Sequence, residues 1–583
     1  MTIAGFFFAN VRRTSGRTFW YDLFMNHSSK SAQIEHNLIP FPSHWQSLAQ
    51  AFVHQVKSKP HAEAVRDSTG LSFTYEQLFI RAIALANLLI GNIRSSQCVG
   101  ILLPPSVGAV IANLAVTLIG KTTVNLNYTT GQDRLNSCLQ QCELDYVITA
   151  RPVIEKLKLK PNATVFYLED LQKEAHALDK VKSWLEAKLL PEAILGELLP
   201  GLTGETSGSN LNDPWQASNR PTTIIFTAGS TAEPKGVLLS HRNILSNIHA
   251  IRQQGHIRPG EVVLGVIPFF HSFGLTMTLW TCLCLGESVI YHYDPFDARR
   301  IADLCDKFQA TTLICTPTMM AAYIKRCKPE QFRSLRHCIL GGEKLMRQQA
   351  LEIQNKLGLT PLEGYGLAET SPVIACNVPG NVVLSDGRTV SGTKLGTVGL
   401  PVPGTLIRIS DLNSHEILPA NKEGAIAVHG PQVMIGYLNK PKETEAVLKD
   451  GWFTTGDLGF LDDDGFLTVT GRLSQFSKIA GEMVPHLAIE EELLRLTGKD
   501  AQSLCVTSIP DAKRGERLVV VHSNLDVTPE KLVKRLSESN LPKLWIPDSR
   551  DFVRVDALPT LANGKLDLRK IRDIVQDKSN RTS

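Results

Sequence analysis

The stretch Thr222–Asn243, TTIIFTAGSTAEPKGVLLSHRN, constrains this chain more than any other. Thr223, Ile224, Ile225 and Phe226 are β-branched or aromatic and uncharged, which predicts a short buried strand. The strand runs into Thr227, Ala228, Gly229, Ser230 and Thr231, whose hydroxyls and approachable backbone N–H groups suit a loop curled around phosphate oxygens. Pro234 stiffens the turn and Lys235 adds a compact positive charge. A Walker A loop needs G-x-x-x-x-G-K-[ST] opening a helix, whereas Pro234-Lys235-Gly236 leads into the apolar Val237-Leu238-Leu239. The P-loop reading therefore fails. A Gly/Ser surface turn with an incidental lysine is the plain alternative.

A chain of 583 residues exceeds one ordinary domain, and length alone predicts about three to four folding units. With 61 basic and 57 acidic residues the net charge is +4, which gives no electrostatic case for nucleic acid and leaves small acidic or phosphorylated ligands open. The eleven cysteines are odd in number, and Cys138/Cys142 and Cys282/Cys284 lack C-x-x-C spacing, so they read as reduced core thiols of a cytoplasmic protein. Ser95–Gly120 and Val262–Gly286 contain no Asp, Glu, Lys or Arg and are long enough to imitate membrane spans. Pro104-Pro105 interrupts the first and Pro268 with His271 the second, so both are expected to be buried strands and helices of an α/β core. Ile3–Val11 is apolar, but Arg12 and Arg13 follow it rather than precede it, which does not make a signal peptide.

Residues 1–45 lack periodicity and are read as an N-terminal extension, either disordered or an amphipathic anchor giving peripheral contact with the cytoplasmic membrane face. A helix is expected from Trp45 to Val56, and Thr74-x-x-Gln77 predicts a capping box before a helix that stops at Gly91. Strand and helix signals alternate to about residue 150 and again from Glu261 to Ala375, the signature of layered α/β structure. Leu168–Leu198 reads as helical. From Gly396 to Thr470 short strands separated by Gly, Asp and Asn turns predict a small β-barrel or sheet, and a smaller mixed unit follows Gly471-Arg472. The expected division is 1–45, a large domain over 46–471 and a smaller α+β domain over 472–583.

Five further stretches carry chemistry. Pro268-Phe269-Phe270-His271-Ser272-Phe273-Gly274 is an aromatic wall with one imidazole, and a lone His there is more often packed than catalytic. Leu340-Gly341-Gly342-Glu343-Lys344 ends a strand in glycines that let a flat ring approach the backbone, though a plain turn would look the same. Glu363-Gly364-Tyr365-Gly366-Leu367-Ala368-Glu369-Thr370 reads as one loop, in which Tyr365 can stack on a base and Glu369 can hold Mg²⁺ directly or through water. Asp457, in Trp452–Leu458, follows a strand and can accept two ribose hydroxyls, or make an ordinary Asx turn. Arg472 and Lys565 bracket the C-terminal unit, Lys565 on a loop of small residues able to enter another domain's cleft.

The order and spacing of these six stretches resemble the adenylate-forming superfamily of acyl-CoA synthetases, luciferases and peptide-synthetase adenylation domains, over residues 45–575. FYLEDL at 166–171, FFHSFGLT at 269–276, LEGYGLAET at 362–370 and FSKIAGEMV at 476–484 resemble the synthetase half of bacterial fused acyl-acyl carrier protein synthetase/acylglycerophosphoethanolamine acyltransferases. No His is read as having Asp five positions later, so the acyltransferase half, with its H-x-x-x-x-D motif, is expected to be absent. The resemblance implies a two-step ligase. A carboxylate attacks the α-phosphorus of ATP to give acyl-AMP, and the thiol of coenzyme A or of acyl carrier protein phosphopantetheine then takes the acyl group.

By the same resemblance Thr227, Gly229, Ser230, Thr231 and Lys235 would cradle the phosphates, and Gly341, Gly342, Glu343, Tyr365 and Gly366 would frame adenine. Glu369 would serve Mg²⁺, and Asp457 and Arg472 the ribose. Phe270, His271, Phe273 and Gly364 would line the acyl pocket. Lys565 would bridge carboxylate and α-phosphate, and a swing of the C-terminal domain about Gln475 would exchange it for the loop of Lys478 and Gly481. Ala228 and Ala232 depart from the family's S-G-[ST]-T-G-x-P-K-G loop, Gln475 from a charged hinge residue, and Leu568 from Arg. A fatty acid is the expected substrate and an aryl or other carboxylic acid the alternative, while a catalytically weak acyl-AMP or nucleotide sensor or scaffold is the rival from another class.

Overall fold

Runs of Val, Ile and Thr too short for helices alternate with helices capped by Ser, Thr and Asp, and this alternation builds the structure from parallel strands joined by helical crossovers. The computed structural model describes residues 46–93, 96–174, 196–202, 220–227, 234–384, 386–480, 482–499, 503–511, 514–539, 541–560 and 566–582. The expected extension over residues 1–45, most of the helical stretch 168–198, residues 228–233, Gly481 and Lys565 lie outside them.

Two large sheets dominate. A nine-stranded sheet runs in the order Leu400–Pro401, Val373–Cys376, Leu362–Gly366, His337–Leu340, Thr312–Cys315, Val262–Gly265, Ser288–Tyr291, Glu63–Asp67 and Ser72–Thr74. A seven-stranded sheet runs Gly436–Tyr437, Lys235–Ser240, Pro221–Thr227, Thr122–Asn125, Cys98–Ile101, Tyr146–Thr149 and Thr164–Tyr167. In both, the central strands are parallel and buried on both faces, which is why they read as apolar runs without alternation. The two charge-free stretches become such elements. Cys98–Ile101 is a strand and Val107–Leu118 a helix, whereas the second gives strand Val262–Gly265, a buried π-helical segment Gly274–Trp280 and helix Thr281–Leu285. Among the described residues no helix is long and apolar enough to cross a membrane.

The capping box forms as expected, the Thr74 and Gln77 side chains each bonding the other's backbone N–H, and the helix it starts runs to Asn92. Helix His241–Gln253 ties the sheets together from its buried face. Asn247 donates to the Val373 carbonyl at 2.8 Å and accepts from its N–H at 3.2 Å, while Asn243 donates to the Val433 carbonyl at 2.7 Å. All eleven cysteines are free thiols.

Besides a two-stranded pair of Asn381–Val383 with Thr389–Ser391, two five-stranded sheets follow. One pairs Leu406–Ser410, Gly424–His429, Trp452–Leu461 and Leu448–Lys449, with Leu467–Arg472 on the side of Trp452–Leu461. The last contains Glu482–Pro485, Phe476–Ile479, Gly515–His522, Leu504–Asp511 and Phe552–Arg554. Alternation in its strands feeds two separate cores: Leu504, Val506, Leu518 and Val520 face one, and Cys505, Val519 and Val521 the other. The result is a mixed α/β fold with a large N-terminal part and a smaller C-terminal part.

Gly366 shows how tightly one turn is drawn, since a Cβ there would lie 1.9 Å from the Pro372 carbonyl oxygen. Backbone cannot yield as a flexible side chain can. Gly366→Ala is therefore expected to destabilise the protein by about 3 kcal/mol, read as a lower midpoint of thermal unfolding.

Candidate active site

The carboxyl ends of parallel strands are where an open α/β sheet leaves a crevice, because crossover helices leave in opposite directions there. Three of the six stretches follow such ends. Strand Val262–Gly265 leads to the aromatic wall, His337–Leu340 to Gly341–Lys344, and Pro221–Thr227 to the phosphate loop. Leu362–Gly366, expected as a loop, is instead a strand parallel to His337–Leu340, with Leu340 opposite Glu363. That pairing brings the Tyr365 segment beside Gly341: a Cβ on Gly341 would lie 3.2 Å from the Phe273 ring and 3.4 Å from the Gly364 carbonyl oxygen. On the far side of the wall, Phe270 meets Tyr128 edge-to-face with centroids 5.0 Å apart. The Tyr128 hydroxyl is buried with no hydrogen-bond partner among the described residues.

Asp457 does not follow a strand; it lies within strand Trp452–Leu461, opposite Arg472 on Leu467–Arg472. Its carboxylate is held on both sides, by the Tyr365 hydroxyl and by Arg472 Nε at 3.0 Å. Burial, reinforced by the Asp457 charge, raises the Tyr365 hydroxyl well above its ordinary pKa and keeps it a donor. Sequence order separates these residues, and strand register joins them.

Lys235 opens strand Lys235–Ser240, directly opposite Thr227. Its ammonium stands 4.8 Å from the centroid of the Tyr437 ring. The Tyr437 hydroxyl donates to Glu369 Oε1 at 2.8 Å, and the Met434 N–H donates to the Glu369 carbonyl at 2.8 Å. Tyr437 was not identifiable from sequence. The one available signal was a Gly-Tyr pair, Gly436-Tyr437, in a short strand among turns.

Glu343 is turned away from a simple framing role. Its Oε2 accepts from the Thr318 N–H at 3.2 Å and from the Thr318 hydroxyl at 2.6 Å, capping helix Pro317–Arg326, while buried Oε1 has no hydrogen-bond partner among the described residues. Its neighbour Lys344 makes an ion pair at 2.5 Å with Glu491 on helix His486–Thr497, which joins the Gly341 loop to the C-terminal part. Gln475 and Leu568, both departures from the family pattern, line one small cavity with His486, Cys505 and Arg572. Lys478 lies on strand Phe476–Ile479.

One reading of the sequence is corrected. An H-x-x-x-x-D spacing does occur, at His292 and Asp297. It lies inside the large N-terminal part: His292 is buried, 2.7 Å from the Ser68 hydroxyl and 3.6 Å from Asp297, and Asp297 accepts from the Arg300 N–H to cap helix Ala298–Phe308. The pair has a structural explanation.

The residues fit a magnesium ion shared with phosphates. Among the described residues no group of three or more His, Cys, Asp or Glu gathers as a metal site, and a single carboxylate beside a phosphate-binding lysine is the usual protein share of such a site. Glu369, with Oε1 held by Tyr437, is the carboxylate that would take this place.

Taken as a class, the crevice and its phosphate loop, carboxylate and paired aspartate define an adenylate-forming enzyme. The chain belongs to the AMP-binding enzyme family, whose model matches residues 52–438. It is 28% identical over 542 residues to a long-chain-fatty-acid–CoA ligase of Bacillus subtilis (strain 168), covering 87% of this chain and 91% of that one. It is also 28% identical over 529 residues to a feruloyl-CoA synthase of an Amycolatopsis species, covering 89% and 97%. The structure resembles ATP-bound MatB of Rhodopseudomonas palustris with TM-score 0.73 and 25% identity, over 91% of this chain and 99% of MatB. An o-succinylbenzoate CoA synthetase of Bacillus subtilis in complex with its acyl-adenylate shares the fold at TM-score 0.71 and 24% identity, over 89% and 97% of the two chains.

Glu363, at the base of the Tyr365 strand, is buried and accepts the Leu345 N–H at 2.9 Å, and burial pushes its pKa up to about 7. Between its ordinary value near 4.3 and about 7 the folded protein holds a proton that the unfolded chain has released. Stability contributed at this site therefore falls as pH rises through that window and stays low above it. Glu363→Gln, which keeps an acceptor for Leu345, is expected to stabilise the protein at pH 8 by up to about 3 kcal/mol, with the gain shrinking toward pH 5 in thermal unfolding.

Proposed function

We propose that this chain is an AMP-forming acid–thiol ligase that activates a fatty acid and transfers it to a phosphopantetheine thiol, that of acyl carrier protein in preference to coenzyme A. One observation carries the reading: the strand Leu362–Gly366 that carries Tyr365, bonded to the Asp457 that pairs with Arg472, also carries Gly364, whose carbonyl, like the Phe273 ring, lies against Gly341. Polar groups next to an apolar wall suit a ligand with a charged head and a hydrocarbon body.

Lys235, with Thr227, Gly229, Ser230 and Thr231, neutralises the phosphates from the pyrophosphate side. The orphan Glu343 Oε1 offers an acceptor for an exocyclic amine at the adenine-framing glycines Gly341 and Gly342, while Tyr365 and Gly366 bound the ring. Asp457 and Arg472 exchange their mutual pair for ribose hydroxyls. Mg²⁺ held through Glu369 would spread the charge that develops on the triphosphate. Lys565 steadies the acyl carboxylate against the α-phosphorus, and His271 borders that point. Residues 472–583 act as a lid turning near Gln475, with Lys478 and Gly481 replacing Lys565 for thiol transfer. The Lys344–Glu491 ion pair supports this reading, because it crosses between lid and crevice and must break for the lid to turn.

The similarity to acyl carrier protein synthetases at residues 166–171, 269–276, 362–370 and 476–484 favours the protein-bound thiol, and the fatty-acid–CoA ligase relative supports the acid. The feruloyl-CoA synthase relative keeps an aryl acid as the second substrate class. The protein is proposed to act in the cytoplasm, with residues 1–45 as a peripheral membrane contact.

ATP–pyrophosphate exchange should appear with fatty acids between C6 and C18, exceed that with ferulate, and vanish in Lys565→Ala. Acyl carrier protein should then accept the acyl group faster than coenzyme A. Exchange with ferulate alone would move the chain to the aryl class. Failure of every acid in the folded protein would favour a nucleotide or acyl-AMP sensor.

A further inference from the structure

Tyr437 is the hinge point of the phosphate cluster, although it belongs to none of the stretches that mark the family resemblance. It sits in the edge strand Gly436–Tyr437, where it pairs with Val237, two residues from Lys235 on the neighbouring strand. Residues two apart on a strand share a face, so the ring lies diagonally beneath the Lys235 side chain. Its face is 4.8 Å from the ammonium, and its hydroxyl points the other way, to Glu369. One side chain thus touches both charges assigned to phosphate chemistry.

The ring does not depend on its hydroxyl for its position. The Tyr437 N–H donates to the Thr444 hydroxyl at 3.0 Å, and the N–H groups of Ile435 and Leu438 donate to the carbonyls of Leu238 and Gly236 at 3.0 and 2.8 Å. Tyr437 is 8% exposed. A carboxylate offers about four acceptor directions, and the hydroxyl occupies one of them on Oε1, which restrains the group from that side. Such second partners set the orientation and basicity of a metal-ligating carboxylate.

We propose that Tyr437 is a positioning residue of the adenylation half-reaction: its hydroxyl aims the Glu369 carboxylate at the magnesium of Mg·ATP, and its ring face holds the Lys235 ammonium over the same phosphates. The assignment rests on the reading that Glu369 and Lys235 handle the metal and the phosphates. Tyr437 itself touches neither substrate.

Tyr437→Phe removes the hydroxyl and keeps the ring, whereas Tyr437→Leu removes both. In ATP–pyrophosphate exchange, Tyr437→Phe should raise the half-saturating Mg²⁺ concentration by about tenfold, with an unchanged KM for the fatty acid. Equilibrium ATP binding, followed by calorimetry with Mg²⁺ and again with EDTA, should show a smaller magnesium enhancement in Tyr437→Phe than in the wild type and an equal affinity in EDTA. Tyr437→Leu should bind ATP more weakly in EDTA as well, because the lysine loses its aromatic face. The proposal is overturned if Tyr437→Phe, with a wild-type thermal midpoint, keeps the wild-type Mg²⁺ dependence in both assays, or if both variants lose activity only in proportion to lost stability. ATP binding needs no acid, so the two readings fail differently. Wild-type protein that shows magnesium-enhanced ATP binding but no exchange would sink the ligase reading alone, and absence of that enhancement in the wild type would sink both.

Discussion

The antiparallel pairing of Pro221–Thr227 with Lys235–Ser240 is the constraint on which the site depends. Thr227 and Lys235 are direct partners, which fixes where the lysine stands at the end of the sheet. The same pairing leaves one edge of Lys235–Ser240 free to receive Gly436–Tyr437, which is how a segment nearly two hundred residues downstream comes to stand beside the lysine.

Parallel geometry does the remaining assembly. The central strands of the two sheets end in the same direction as their neighbours, so each contributes its C-terminal loop to one crevice and its body to the core. Buried polar ties join the sheets. Asn243 and Asn247 bond their amides to backbone of the strands and loops opposite, and a buried amide so bonded specifies one packing where apolar contacts alone would allow several. In contrast, the Lys344–Glu491 contact joins partly exposed side chains, which water can replace at little cost. A strong seam holds the large part together, and a weak one meets the C-terminal part.

Much of this was legible in the chain. The charge-free runs at 95–120 and 262–286 declared buried strands and helices because proline and histidine interrupted them, and Thr74 with Gln77 announced a helix start through side-chain chemistry that acts over three residues. The family resemblance set Gly341 with adenine and Phe273 and Gly364 with the acyl chain, and nothing local says that Gly341 will face a phenyl ring from another strand. Two readings went astray for the same reason. Leu362–Gly366 looked like a loop because glycines are poor strand formers, and Asp457 looked like a strand terminus because Gly456 precedes it. Pairing with neighbouring strands overrode both local preferences.

Sequence by itself determined the kinds of chemistry available: a phosphate-loop lysine, an acid for magnesium, an aspartate with an arginine, and an aromatic wall without charge. These follow from residue type and from spacings short enough to be read within one element. Tertiary structure alone decided which of them act as units. Tyr437 bridges Lys235 and Glu369, Tyr365 reaches Asp457, and Glu343 caps the helix that starts at Pro317, each across tens to hundreds of residues. Hydrogen bonds and ring contacts act over a few ångströms of space, and the chain's order carries no record of which distant residues the sheets will bring that close.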